Sequence, residues 1–213
     1  MIIGGGIVGA SVADHLAGPS ILDQPPDEIV VVDRVHPGKA TLAGAGIVCP
    51  WATAADDGTW YDLYAAGGAY YEELLVRLAA RTELDVGYRR VGALVVSHDS
   101  ADLDAAEERL ARRSVDNPEV GAVRRLDAAE AQARFPPLTD GLEAVHIANG
   151  ARVDGRLLAE ALLAGSGASR IVSPAAAEVV VDGGQVTGVR VDGLEGDPAE
   201  VLAADVVVVA GGA

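Results

Sequence analysis

Cysteine, lysine, methionine and phenylalanine each occur once among the 213 residues. The lone cysteine, Cys49, excludes an intrachain disulfide and fits a reducing compartment, so a cytoplasmic location is expected. Long apolar runs are missing too. Stretches such as Ile29 to Val32 and Val206 to Ala210 fall far short of the roughly 20 residues that cross a bilayer. Met1 leads straight into Ile2, Ile3 and a glycine cluster with no basic stretch, so no secretory leader is expected. Positive charge is scarce. Lys39 and fifteen arginines stand against 32 acids, for a formal net charge of −16. That balance argues against a nucleic-acid backbone or an anionic membrane as partner and favours a solvated acidic surface. The near absence of lysine reads as compositional bias.

The chain opens "MIIGGGIVGASVADHLAG", in which Gly4, Gly6 and Gly9 fit G-x-G-x-x-G. Each position has its own physical task. Gly4 permits a tight strand-to-helix turn, Gly6 lets a pyrophosphate approach the backbone, and Gly9 lets the helix pack close to the sheet. The helix that begins around Ile7 and Val8 then offers free N–H groups and the positive end of its dipole to phosphates. With 26 glycines in the chain, the motif needs a second element. "DEIVVVDR" supplies it: Glu28 to Val32 read as a buried strand ending at Asp33, 24 positions after Gly9. A carboxylate there accepts hydrogen bonds from an adenosine ribose. Together these parts predict a bound dinucleotide.

Nicotinamide and flavin domains share that much. The stretch after Asp33 separates them, because Thr41, Ala43, Gly44, Ala45 and Gly46 form a run of small residues where a crossover helix is usual. Small residues let backbone lie against a flat, bulky ligand. A nicotinamide-dependent Rossmann dehydrogenase is the alternative that this stretch disfavours.

Further along, Thr59 to Arg81 reads as one long helix with Trp60, Tyr64 and Tyr71 roughly on one face, expected to pack in the core. Val91 to Ser97 reads as a strand, and Ser100 to Arg113 as a charged helix capped by Ser100. Asp102, Glu107, Glu108, Arg112 and Arg113 are expected to form its solvated face. Asp127 to Arg134 is a short helix stopped by Pro136-Pro137, followed by a strand at Leu142 to Ile147. Asp154 caps a helix closed by Gly165-Ser166-Gly167. Asp182-Gly183-Gly184-Gln185 is a hairpin signal, and Val206 to Val209 return to the parallel sheet. The stretch "GPSILDQPPDE" reads as a loop, and the acidic pairs Asp56-Asp57 and Glu107-Glu108 as polar surface.

His15, His36, His98 and His146 lack metal-ligand spacing, so no metal is expected. His146 lies on a strand that could face substrate, but a hydrogen-bonded structural role is the preferred reading. Cys49 is read as a small packed thiol rather than a flavin attachment point. No G-x-S-x-G elbow or Ser-His-Asp order occurs.

The segment "ATLAGAGIVCP" resembles the T-S-x-x-N-A-G-x-x-x-P stretch of the D-amino-acid oxidase-like FAD-dependent oxidoreductases, with Gly44 where Asn is common. That group includes glycine oxidase, sarcosine oxidase and D-amino-acid dehydrogenase. Similar matches run along the chain. They include "YRRVGALVVSHD", "RRLDAAEAQARFPPL", "GARVDGRLLAEALLAGSG", "AAEVVVDGGQVTGVRVDG" and "ADVVVVAGGA". The resemblance implies FAD as cofactor, an amino acid or amine as small-molecule substrate, and C–N oxidation by hydride transfer to flavin. It implies that Asp33 and the basic Arg34 close the second strand at the ribose, and that Thr41 and Ala43 to Val48 line pyrophosphate and isoalloxazine. It also implies that Val179 contacts the adenine and that Ala210 and Gly211 lie near the cofactor.

The fold class expected is α/β. A Rossmann-like, glutathione-reductase-like FAD-binding domain at 1–84 and 148–213 would carry an inserted α+β substrate-domain segment at 85–147. The first strand is short, and "ADVVVVAGGA" stops at a glycine turn that normally feeds another element. The chain is therefore expected to be incomplete at both ends, an N-terminal fragment without assignable catalytic residues. The partners expected are a second chain completing the fold and an electron acceptor, oxygen or a membrane quinone. A FAD-binding subunit of a hetero-oligomeric amine dehydrogenase is a further alternative.

Overall fold

A computed structural model describes residues 1–18, 26–34, 36–55, 58–172, 177–192 and 198–212. The strands in chain order are β1 (Ile2–Ile3), β2 (Val30–Asp33), β3 (Ile47–Val48), β4 (Arg89–Arg90), β5 (Ala93–Ser97), β6 (Val123–Leu126) and β7 (Glu143–Ile147). They continue with β8 (Ala151–Arg152), β9 (Ser169–Val172), β10 (Ala177–Asp182), β11 (Gln185–Val191), β12 (Glu200–Ala203) and β13 (Val208–Val209). The helices are α1 (Ile7–Leu16), α2 (Ala40–Ala43), α3 (Thr59–Ala69), α4 (Tyr71–Ala79), α5 (Ser100–Asp116), α6 (Ala128–Arg134) and α7 (Gly155–Ser166). Most of the "GPSILDQPPDE" loop, the Asp56-Asp57 pair and Ala213 lie outside the described residues.

The chain divides into two compact units. One comprises Met1–Ala45, Arg77–Val86 and Asp154–Ala213; the other comprises Gly46–Val76 and Gly87–Val153. Residues 46–76 thus group with the second unit, beyond the 85–147 segment read from sequence. Pairing explains the grouping. β3 joins β8, which joins β4, and Trp51, Tyr61 and Ala65 share a core with Leu103, Leu110 and Val145.

In the first unit a parallel sheet runs in the order β13-β1-β2-β9. Strand alternation gives it two buried faces. Ile2 and Val31 pack with Ala13 of α1 and Leu163 of α7. Val32, Ile3 and Ile171 pack with Val189, Val191 and Leu202 of the antiparallel β10-β11-β12 sheet. Helices, parallel sheet and antiparallel sheet therefore form three layers. The β10–β11 turn places Gly183 at φ 56° and Gly184 at φ 83°, the backbone that a two-residue hairpin with right-handed strand twist demands. Two strands of this unit, β9 and β12, went unread in the sequence. β9 pairs with β2 in parallel, Val31 opposite Arg170 and Asp33 opposite Val172.

In the second unit β7 pairs on one side with β5 and on the other with β6. Val145 and Ile147 bury against Leu103, Ala106 and Leu110 of α5. On the opposite face, Ala144 packs with Leu126 and with Ala131 of α6. Asp127 caps α6 with a capping box to Glu130, and Asp154 caps α7 through the Arg156 and Leu157 N–H groups.

Several local readings change. The expected single helix over 59–81 is two, α3 and α4, meeting at Tyr70. Gly67 and Gly68 weaken helix there, and Gly68 lets the chain lie close to Pro50, whose Cγ would be 2.6 Å from an added Cβ. Trp60 and Tyr64 are exposed rather than core; the buried face of α3 carries Tyr61 and Ala65. Asp99, not Ser100, caps α5, accepting the Ala101 N–H at 2.8 Å. Arg113, assigned to the solvated face of α5, is 4% exposed. Its guanidinium donates to the carbonyls of Trp51, Thr53 and Ala55 at 2.7 to 2.8 Å and lies 3.9 Å from the Tyr61 ring centroid. Burial is tolerated because those carbonyls replace the water lost to the guanidinium.

Candidate dinucleotide site

The turn from β1 into α1 leaves no room for side chains. Gly4 sits at φ +105°, and a Cβ there would lie 2.2 Å from the Ala210 carbonyl oxygen. A Cβ on Gly9 would lie 1.8 Å from the Gly4 carbonyl oxygen, so only glycine lets α1 pack this close to the turn. The variable second position of the motif is under the same constraint. An added Cβ on Gly5 would meet the Asp33 carboxyl group at 2.8 Å. That role was not read from the sequence, although the three consecutive glycines were its signal.

Gly6 is the N-cap of α1 and gives no side-chain cap, and the first turn holds no acid. The Ile7 N–H instead donates to the Thr41 hydroxyl at 2.9 Å. Thr41 rides on α2, and Ala43, Gly44 and Ala45 after it are exposed. Val8, on the first turn of α1, is also exposed. A helix N-terminus free of carboxylates, flanked by a hydroxyl and open backbone, fits an anionic pyrophosphate.

Asp33 ends β2 on the face it shares with Val31, beside the glycine turn. It is 6% exposed. Its Oδ1 accepts the Gly5 N–H at 3.0 Å, and its Oδ2 accepts from Lys39 Nζ at 2.5 Å and Arg170 Nη2 at 3.1 Å. Burial pushes its carboxyl up, but Lys39, the Gly5 N–H and Arg170 together outweigh that and hold it below the ordinary aspartate range. Neither Lys39 nor Arg170 was singled out in the sequence. Lys39 was set aside as the remnant of a composition bias, and Arg170 reaches Asp33 only through the β2–β9 pairing.

The first unit therefore gathers Gly4, Gly6, Ile7, Val8, Gly9, Asp33, Thr41 and Ala210 around one turn. Ala210 donates its N–H to the Ile3 carbonyl at 2.8 Å, and Gly211 beyond it is exposed. Arg34 is exposed at the end of β2. Val179 lies opposite Val189 on the hairpin layer and is half-buried. Gly46 and Val48 belong to the second unit, where the Gly46 carbonyl accepts the Val153 N–H at 2.8 Å. In that unit Val48, Cys49, Pro50, Trp60, Tyr64 and Tyr71 line an open cavity of about 400 Å³. Burial pushes the Cys49 thiol up to about 11, so it is neutral at physiological pH. His146 lies 3.3 Å from an Arg134 guanidinium nitrogen, and burial together with Arg134 and Arg124 pushes its pKa down.

Among the described residues, no helix is long and apolar enough to cross a membrane. The chain is 42% identical to the uncharacterized oxidoreductase YurR of Bacillus subtilis (strain 168), over 100% of this chain and 54% of that protein. Among solved structures, the iminodiacetate oxidase of Chelativorans sp. BNC1 matches with a TM-score of 0.82 and 48% identity, over 98% of this chain and 53% of that one. Glycine oxidase from Bacillus cereus ATCC 14579 shares the fold, with a TM-score of 0.71 and 23% identity over 99% and 54%. The chain spans about half the length of these relatives. A family model described as DAO, FAD dependent oxidoreductase, matches residues 1–213 from end to end, and the chain belongs to that FAD-dependent family.

Proposed function

We propose that this chain provides the FAD-binding framework of an oxidoreductase acting on the C–N bond of an amino acid or a primary or secondary amine. The observation that carries the reading is the close packing of the glycine turn, the acid-free first turn of α1 and the buried Asp33 in one unit. The amine class is supported by the similarity to a protein described as iminodiacetate oxidase.

In this reading Asp33 accepts hydrogen bonds from the adenosine ribose. The turn at Gly4 to Gly6 and the first N–H groups of α1, with Thr41, hold the pyrophosphate. Arg34 flanks the ribose, and Val179 and Gly211 extend the contact toward adenine and flavin. Ala43, Gly44 and Ala45 present backbone to the ring. The chemistry a bound flavin supplies is acceptance of a hydride at N5 from the carbon beside the substrate nitrogen.

An absorbance scan across the flavin bands of the purified chain, with released cofactor identified after denaturation, tests the cofactor assignment. Near-stoichiometric FAD supports it. A nicotinamide nucleotide, or no FAD uptake by a folded chain given excess cofactor, overturns it. Bleaching of the bound flavin under anaerobic conditions by N-substituted glycines or amino acids then tests the amine class.

A further inference from the structure

Asp33 has more partners than a ribose-binding acid needs. An ionised carboxylate has about four acceptor positions. The Gly5 N–H, Lys39 and Arg170 occupy three of them. A ribose that donates both of its hydroxyls requires two, so one existing partner has to leave. The Gly5 N–H is fixed by the turn, which leaves the two cations.

The cations are not equivalent. The Lys39 side chain is 17% exposed and sits 2.5 Å from Oδ2. Its backbone is the N-cap of α2, next to Thr41, which is itself tied to Ile7. Arg170 is 45% exposed, 3.1 Å away, and projects from β9, which forms an edge of the four-stranded sheet. A guanidinium so open to water loses little when an ion pair breaks, whereas a well-shielded ammonium loses its main compensation.

We propose that Lys39 is the standing counter-ion that keeps Asp33 ionised and aimed at the ribose, and that Arg170 is the partner displaced when adenosine binds. Lys39, the only lysine in the chain, is then a positioning residue: it acts on the cofactor through Asp33. The proposal rests on the FAD reading above. The charged side chains held against Asp33 are Lys39, from the segment after β2, and Arg170, from β9. Without Lys39, burial drives the Asp33 carboxyl upward against Arg170 and the Gly5 N–H alone. Once adenosine displaces Arg170, that opposition falls to the N–H.

The test is FAD affinity, read by flavin fluorescence on the whole chain from about pH 5 to about pH 8, across the foot of the carboxylate range. The variants are Lys39→Met, Lys39→Arg and Arg170→Met. Lys39→Met is expected to weaken binding about tenfold at neutral pH and further as pH falls. Lys39→Arg restores most of it. Arg170→Met stays within about threefold of the parent protein or binds more tightly. Any of three results overturns the proposal: parent-like affinity in Lys39→Met, an equal loss in Arg170→Met, or a Lys39→Met loss that is independent of pH and unrescued by arginine. If the parent chain binds no FAD, the cofactor reading fails first. The ion pair is then judged by a carboxyl-carbon NMR titration of Asp33 without cofactor. An upward shift in Lys39→Met supports Lys39 as counter-ion, and an unmoved titration rejects it.

Discussion

The hydroxyl of Thr41 accepts the backbone N–H of Ile7 at 2.9 Å, capping α1 from 34 positions along the chain. Gly6, the residue where a Ser or Asp would normally cap, has no side chain to do so. With no side chain at Gly6, the cap comes from elsewhere. Thr41→Val keeps the shape and removes the acceptor. It is expected to lower stability by about 1 kcal/mol, read as a reduced urea midpoint at unchanged m-value. Thr41→Ser is expected to retain the parent midpoint.

Arg113 makes a stronger demand. One buried guanidinium holds three carbonyls of the 51–55 segment and lies over the Tyr61 ring. Arg113→Met fills similar volume but leaves those carbonyls without their donor. A loss of about 2 to 4 kcal/mol is expected in chemical denaturation. Arg113→Lys is expected to recover only part of it, because an ammonium is a point charge and not a fork. Equal stability of the Lys variant and the parent would contradict the geometry.

How much was legible in the sequence follows from how local each signal is. Gly4, Gly9 and Asp33 were readable because strand, turn and helix force a fixed spacing between them. The capping residue Asp154 and the Gly183-Gly184 turn were readable for the same reason. Arg170 was not, since its contact with Asp33 spans 137 positions and depends on β9 pairing with β2. Arg113 was misread although a signal existed. Leu103, Ala106, Leu110 and Arg113 recur at helical spacing and all are buried, so the arginine falls on the apolar stripe. Its charge alone suggested solvent. Trp60 and Tyr64 erred in the opposite direction. Their apolar character suggested core, but Tyr61 and Ala65 take the buried face of α3.

Asp14 on α1 is fully buried and is held by Arg77 at 2.5 Å and Arg81 at 2.9 Å. The pair of arginines ties the helix after the glycine turn to residues 77–86 of the same unit. Asp14→Ala leaves two cations facing a buried gap, at an expected cost of about 3 to 5 kcal/mol. Asp14→Asn keeps one acceptor oxygen and is expected to lose less. Thermal unfolding of the two variants gives the order; Asn falling below Ala would contradict an ion-pair role.

Cys49 provides a pH-dependent test that is independent of any cofactor. Burial raises its pKa from an ordinary 9.0 to about 11, against a smaller opposing effect of the Ala52 N–H. The fold therefore favours the neutral thiol. The stabilisation is complete below the unfolded-state value and is lost as pH rises through the folded one, that is, between about 9 and about 11. It amounts to roughly 3 kcal/mol. Cys49→Ala removes the titrating group, so its stability is expected to fall less steeply than the parent's above pH 9. The same neutrality predicts slow reaction of the native chain with an aromatic disulfide reagent at pH 8, and full reaction of its single thiol in denaturant. Rapid labelling of the folded protein would mean that the 49–52 segment opens far more often than its packing with Trp51 and Tyr61 implies.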